Sequence, residues 1–137
     1  MKDVMISVKG QSGLGGEGRI ELVTEGRFYQ ENGAYCISYK ESGMTGMEGT
    51  TTTLKAEKGI VSLIRTGTVS STFIFEVGKK NTSHYATEYG VFTIGVQALE
   101  VNVDINDKGG DVSIVYSLDI FGRDAERNEF IMSVREV

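Results

Sequence analysis

A chain of 137 residues, 39% hydrophobic and 24% charged, can bury a core without a disulfide or structural metal, and this composition excludes disordered and membrane-embedded classes. The formal net charge is −5 and basic residues occur almost entirely singly, which argues against binding to nucleic acid or to an anionic membrane surface. The only cysteine, Cys36, cannot form an internal disulfide, and the N-terminus lacks the apolar run of a signal peptide, so we expect a cytoplasmic protein.

Alternation of apolar and polar residues predicts β-strands along the whole chain. Turn signals divide the alternating segments, and Asn32-Gly33 is the strongest hairpin signal among them. The pattern predicts about ten strands joined by short connections. In chain order, the in-phase sets are Val4, Ile6 and Val8; Ile20 and Leu22; Tyr35, Ile37 and Tyr39; Val61, Leu63 and Arg65; Phe73, Phe75 and Val77; Val112, Ile114, Tyr116, Leu118 and Ile120; and Phe130, Met132 and Val134.

The segment after Gly90 changes phase in its middle. The first apolar set ends at Ala98, and the second begins at Leu99 with the opposite parity. A one-residue slip in register would turn polar residues inward, so we predict a β-bulge near Ala98-Leu99. Such a bulge bends a strand and helps a sheet to curl.

No stretch of ten or more residues has helical periodicity, so a sheet face has no helix to cover it. This predicts an all-β fold, a single β-barrel domain over residues 1–137 built as an antiparallel up-and-down meander of about 8–10 strands. A β-sandwich with Greek-key connections is the alternative. The glycine-containing polar segments 10–18 and 42–49 are the longest predicted loops.

Three patterns that could carry chemistry have simpler interpretations. Residues 13–18 fit G-x-G-x-x-G but precede a strand, whereas the dinucleotide fingerprint opens a helix. Residues 104–109 begin like a calcium loop but lack acidic ligands at Lys108 and Val115. Cys36 and His84 could pair as nucleophile and base, yet no spacing brings them together. We therefore predict no metal, no cofactor and no enzymatic activity.

Arg65 is the most informative single residue, because it continues the apolar parity of Val61 and Leu63. An arginine pointing into a barrel needs a carboxylate partner from the protein or from a ligand. The alternative is an arginine at the open end of its strand, with its head group extended to water.

Several short motifs occur in an order that resembles a known family. They are Thr24-Glu25-Gly26 with Phe28-Tyr29, Ile37-Ser38-Tyr39-Lys40-Glu41, Thr53-Leu54-Lys55, Leu63-Ile64-Arg65-Thr66-Gly67 and Tyr85-Ala86-Thr87-Glu88-Tyr89-Gly90. Together they resemble the YwiB-like family of small bacterial proteins of unknown function. The chain departs from the family pattern at Glu88-Tyr89-Gly90, where Pro-Phe-Gly would follow Thr87. The resemblance implies a calycin-like barrel related in shape to lipocalins, with no established activity and no catalytic residues.

We predict a non-catalytic barrel that binds a small apolar or anionic amphipathic ligand. The alternatives are a structural or protein-interaction module with a filled interior and, less favoured, an unrecognised enzyme. We expect the partner to be a small hydrophobic or amphipathic molecule, and the chain is compatible with a homodimer. The candidate ligand-binding residues are Arg65, Tyr39, Phe75, Tyr85 and Tyr116.

Overall fold

A computed structural model describes residues 2–12, 20–42, 47–120 and 126–137, and every regular element in these ranges is a β-strand. None of the described residues forms a helix long and apolar enough to cross a bilayer. The ten strands are β1 Lys2–Ser12, β2 Ile20–Glu31, β3 Ala34–Lys40, β4 Thr50–Glu57, β5 Ile60–Gly67, β6 Ser71–Phe75, β7 Lys80–Thr87, β8 Gly90–Asn106, β9 Gly109–Ile120 and β10 Glu126–Glu136.

The strands form one antiparallel sheet in the order β6-β5-β4-β3-β2-β1-β10-β9-β8-β7. Every pair of neighbours is consecutive in the chain except β1 and β10, which pair in the middle of the sheet. The predicted meander of about ten strands is therefore confirmed, and the sheet curls into a nearly closed barrel. The opening lies between β6 and β7 rather than between the chain ends.

The β6–β7 seam is held by one bridge and by two side chains of β7. Ser70 and Ala86 exchange both of their backbone hydrogen bonds at 2.9 Å. Beyond that bridge, Ser83 Oγ donates to the carbonyl oxygen of Thr72 at 2.7 Å, and Asn81 Nδ2 donates to that of Ile74 at 3.2 Å. Side-chain donors therefore satisfy the carbonyls of the β6 edge in place of a backbone ladder.

Two local predictions about the strands are confirmed. Asn32 and Gly33 both have positive φ, 52° and 83°, as a tight two-residue hairpin requires. The register of β8 against β9 shifts between Ala98 and Glu100, so Leu99 is the extra residue of a bulge. After the bulge Val101 pairs with Ile114 and faces the core, which reconciles the two parities of β8.

Three predictions need correction or fall outside the description. The alternation groups Val77 with Phe73 and Phe75, but β6 ends at Phe75 and Val77 is 56% exposed in the following turn. The predicted loop beginning at Gly10 starts later, because β1 continues to Ser12 in register with β10. The G-x-G-x-x-G pattern at residues 13–18 lies outside the described residues, as do residues 43–46 of the predicted loop 42–49.

Candidate functional site

Two neighbouring rows of inward-facing side chains run across the same four strands, β3 to β6. In the first, hereafter the apolar row, the strands contribute Ile37, Leu54, Leu63 and Phe73 in direct register. The second row, hereafter the polar row, lies two residues away on each strand, in the same direction across the sheet. Its members are Tyr39, Thr52, Arg65 and Ser71. The alternation of each strand places both rows inside the barrel, so a band of polar groups adjoins the hydrophobic core.

Arg65 supplies the positive charge of the polar row. Its Nε is buried and has no hydrogen-bond partner among the described residues. Its guanidinium carbon lies 5.9 Å from the centre of the Phe73 ring, an arrangement that favours a cation over the face of the ring. The sequence left open whether this side chain enters the barrel or extends to water; the buried Nε shows that it turns inward, while Arg65 as a whole is half-buried.

Ser71 stands next to Arg65 in the row. It is 6% exposed, and its Oγ is the second buried side-chain atom without a hydrogen-bond partner among the described residues. Because Arg65 and Ser71 are direct cross-strand partners, their Cβ atoms lie about 5 Å apart. Two unpartnered polar groups therefore stand side by side.

The other side of the row is occupied by a closed hydrogen-bond network. Thr52 Oγ1 donates to Glu41 Oε2 at 2.5 Å, and Glu41 is buried where the chain continues from β3. Tyr39 also hydrogen-bonds to Glu41 and to Thr52, and burial together with the Glu41 charge raises the pKa of Tyr39, an effect that the Arg65 cation opposes. These three residues satisfy one another, in contrast to Arg65 and Ser71.

The Phe73 ring beside the cation belongs to a group of aromatic contacts. The rings of Phe73 and Tyr85 face each other across the β6–β7 seam at 6.2 Å, and those of Phe75 and Tyr116 meet at 4.8 Å. Burial raises the pKa of Tyr116, and Arg65 opposes that rise. The Arg65 charge thus opposes the pKa rise of both Tyr39 of β3 and Tyr116 of β9.

The five residues predicted as a site therefore lie in one neighbourhood inside the barrel. This neighbourhood contains Arg65, Tyr39, Tyr85 and Tyr116. Phe75 is fully buried beneath them and packs against Tyr116. Sequence reasoning missed Ser71, Phe73, Thr52 and Glu41. Ser71, Phe73 and Thr52 share the inward parity of their strands, and Glu41 continues the parity of Tyr39 just after β3; this parity was the available signal.

The remaining chemical candidates do not form a second site. Cys36 of β3 faces outward, yet it is 2% exposed, and burial raises the pKa of its thiol. His84 lies on β7, is exposed and pairs in register with Thr93. In the sheet order five strands, β2, β1, β10, β9 and β8, separate Cys36 of β3 from His84 of β7, and β4, β5 and β6 lie between them on the side of the seam. Within the described ranges, no group of three or more His, Cys, Asp or Glu residues could hold a metal ion.

An outer groove of about 360 Å³ lies between the β2–β3 hairpin and the β8–β9 turn. Its polar groups already satisfy one another, because Tyr35 Oη donates to Asp107 Oδ1 at 3.0 Å and Lys2 Nζ donates to the Asp107 carbonyl at 2.6 Å. The stacked rings of Phe28 and Tyr35 line the same groove. Unlike the polar row, the described residues that line this groove include no unpartnered buried donor.

Comparison with known proteins supports the fold and the family. The structure is similar to the crystal structure of the ywiB protein from Bacillus subtilis, with a TM-score of 0.83 over 98% of this chain and 90% of that one, at 18% sequence identity. No curated protein matches the sequence. Residues 6–132 match the family model described as a domain of unknown function, DUF1934. With nearly the whole sequence matched, the chain belongs to the DUF1934 family.

Proposed function

We propose that this protein is a non-catalytic binding barrel that holds a small anionic amphipathic ligand inside its wall of strands. The observation that carries the proposal is the pair of buried, unpartnered groups, Arg65 Nε and Ser71 Oγ, on adjacent positions of the polar row. The aromatic rings of Phe73, Tyr85 and Tyr116 would contact the apolar part of the ligand.

Burying a charged or polar group without a partner costs free energy, and hydrophobic residues of similar size would usually pack there with less loss. A guanidinium with its Nε free is suited to two-point recognition of a carboxylate or phosphate. An anionic ligand would remove the cost at both Arg65 and Ser71 at once. We therefore place the ligand's acidic group at these two residues.

The absence of catalysis is part of the proposal and is supported by the chemistry of the remaining side chains. The buried thiol of Cys36 has a raised pKa, the opposite of an activated nucleophile. His84 is exposed on a different part of the sheet and cannot serve that thiol as a base. The Glu41 carboxylate, which could otherwise act as a base, accepts a hydrogen bond from Thr52.

We further propose a bacterial cytoplasmic protein with a calycin-like relationship to other ligand-binding barrels. The free, buried Cys36 is compatible with a reducing compartment. The net charge of −5 disfavours nucleic acid and anionic membranes as partners.

The proposal is tested by thermal unfolding in the presence of benzoate, octanoate, palmitate and phosphate, each added separately at saturating concentration. At least one carboxylate should raise the Tm by about 3–6 °C, because a ligand that binds only the folded state stabilises it. The shift should disappear in Arg65→Gln. Arg27→Gln is the matched control, since it removes the same charge from an exposed outward position.

Two results would defeat the proposal. One is no shift with any of the four compounds, and the other is an equal shift in wild type and Arg65→Gln. Native mass spectrometry of freshly purified protein gives an independent measurement of a retained ligand and of the oligomeric state.

The second candidate is a protein-interaction module with a filled barrel. It is favoured by the exposed apolar residues Tyr89 and Val91 at the β7–β8 hairpin, which are 86% and 66% exposed. This candidate predicts association in sedimentation experiments that Tyr89→Ser weakens, with no Tm shift from small anions. A monomer at all concentrations, combined with a ligand-induced shift, excludes it.

A further inference from the structure

The apolar row sets a limit on how large a ligand of the polar row can be. Leu63 lies two residues from Arg65 on the same strand and is buried, and Phe75 is fully buried below Phe73. The buried side chains of the apolar row form one cluster with residues from β1, β2, β8, β9 and β10. A long hydrocarbon tail would have to displace this packed core in order to extend along the barrel.

Two aromatic contacts also oppose the extension of a hydrocarbon tail into the core. Tyr116 packs on Phe75 with its ring centre 4.8 Å away, and Phe73 meets Phe75 edge-on at 6.3 Å. The floor below the Arg65 guanidinium is therefore made of rings that already contact one another. A flat or short apolar group could pack on these rings without displacing them, whereas a long chain could not.

The charges of the polar row limit the ligand in a second way. Arg65 is the only cation of the row, and the Glu41 carboxylate is hydrogen-bonded to Thr52 on its other side. A phosphate dianion would bring excess negative charge into a buried region next to Glu41. A monoanion requires only one cation and a hydrogen-bond donor.

From these observations we infer that the ligand is a compact monocarboxylate, with a single ring or a short chain, whose two oxygens accept hydrogen bonds from Arg65 Nε and Ser71 Oγ. This inference rests on the proposed function and adds the class of ligand. It separates the protein from barrels that enclose a long-chain fatty acid. It also assigns Ser71 as a residue that determines specificity.

The test is calorimetric titration of the full chain with butyrate, benzoate, octanoate, palmitate and inorganic phosphate at neutral pH. We expect benzoate or butyrate to bind more tightly than octanoate, palmitate and phosphate. Arg65→Gln should weaken the best ligand at least about tenfold, because a charge-assisted pair is lost. Ser71→Ala should weaken it about five- to tenfold, the effect of one hydrogen bond.

Ser62→Ala is the matched control for Ser71→Ala, because Ser62 faces outward on β5 and should leave the affinity unchanged. Circular dichroism of each variant establishes that it is folded. Tightest binding by octanoate or palmitate in an Arg65-dependent manner would overturn the compact-ligand inference while leaving the proposed function intact. Tightest binding by phosphate would overturn the assignment to a carboxylate, and no binding by any of the five compounds would defeat the proposed function itself.

Discussion

The apolar row and the polar row differ in how their members are satisfied, although they are adjacent and cross the same four strands. In the apolar row, residues such as Leu54 and Leu63 need no partner beyond packing, and their burial stabilises the barrel. In the polar row, Arg65 and Ser71 contain buried atoms without partners among the described residues, which opposes stability. The apolar row thus stabilises the fold, whereas the polar row carries the unpartnered groups to which we propose that a ligand binds.

The largest expected effect is on the apolar row. Leu63→Ala should lower the free energy of unfolding by about 2–5 kcal/mol, because it leaves a cavity in the packed core. Chemical denaturation measures this change directly. Ile64→Ala, on the outward face of the same strand, should cost clearly less. An equal cost at both positions would contradict the assignment of the inward face of β5.

The tyrosine of the polar row should make stability depend on alkaline pH. Burial raises the pKa of Tyr39 in the folded protein above its ordinary value of 10.0, so the folded state holds its proton more tightly than the unfolded state. The resulting stability is complete below pH 10 and is lost as pH rises above it, at up to about 1.4 kcal/mol per pH unit for this one proton.

The free energy of unfolding should be measured by denaturation between pH 9 and pH 11.5, a range set by the ordinary tyrosine pKa. It should fall less steeply with rising pH in Tyr39→Phe than in wild type. Tyr89→Phe is the control, since that ring is 86% exposed. The account of Tyr39 burial is wrong if the two variants have the same pH dependence.

A smaller effect is expected at the seam beside the polar row. Ser83→Ala removes the donor to the Thr72 carbonyl and should lower the free energy of unfolding by about 1 kcal/mol. Amide hydrogen exchange should rise more for Ser70 and Ala86, which form the seam bridge, than for the β1–β10 pairs. Uniform exchange throughout the barrel would show that the seam is not its weakest closure.

The smallest expected effect is the one that most sharply separates the two rows. Arg65→Met keeps an unbranched apolar stem and removes a charge whose Nε is buried, so the free energy of unfolding should stay within about 1 kcal/mol of wild type or increase. The same urea or guanidinium titration used for Leu63→Ala measures it. A loss comparable to that of Leu63→Ala would mean that Arg65 is part of the structural core.

The sequence predicts the strands and turns that carry the two rows better than it predicts where the barrel opens. Period-2 alternation is a local property, so it predicts the bulge at Leu99 and the shared parity of Arg65 with Val61 and Leu63, while turn chemistry predicts the Asn32-Gly33 hairpin. The sequence leaves open whether Arg65 enters the barrel. The position of the gap between β6 and β7 does not follow from the sequence. Nearly all strand pairs of an up-and-down barrel are consecutive in the chain, so the alternation pattern is the same wherever the gap lies.

The missed site residues have a different explanation. Ser71 and Glu41 share the inward parity of their neighbours, but polar side chains are exposed in most proteins, so periodicity alone does not identify them as buried. Their burial depends on pairing across strands that are distant in the chain. Cys36 also faces outward as its parity indicates, and it is buried between Tyr29 and Lys55 of the neighbouring strands.

The central claim is that the polar row binds a carboxylate through Arg65. The most direct measurement is a ¹H–¹⁵N spectrum of the arginine Nε–H groups during titration with benzoate, with the Arg65 signal assigned through Arg65→Gln. The account predicts a saturable downfield shift of the Arg65 signal, while the exposed Arg27 and Arg135 remain unchanged. An Arg65 signal that does not move at saturating benzoate, or that moves only together with the exposed arginines, would contradict it.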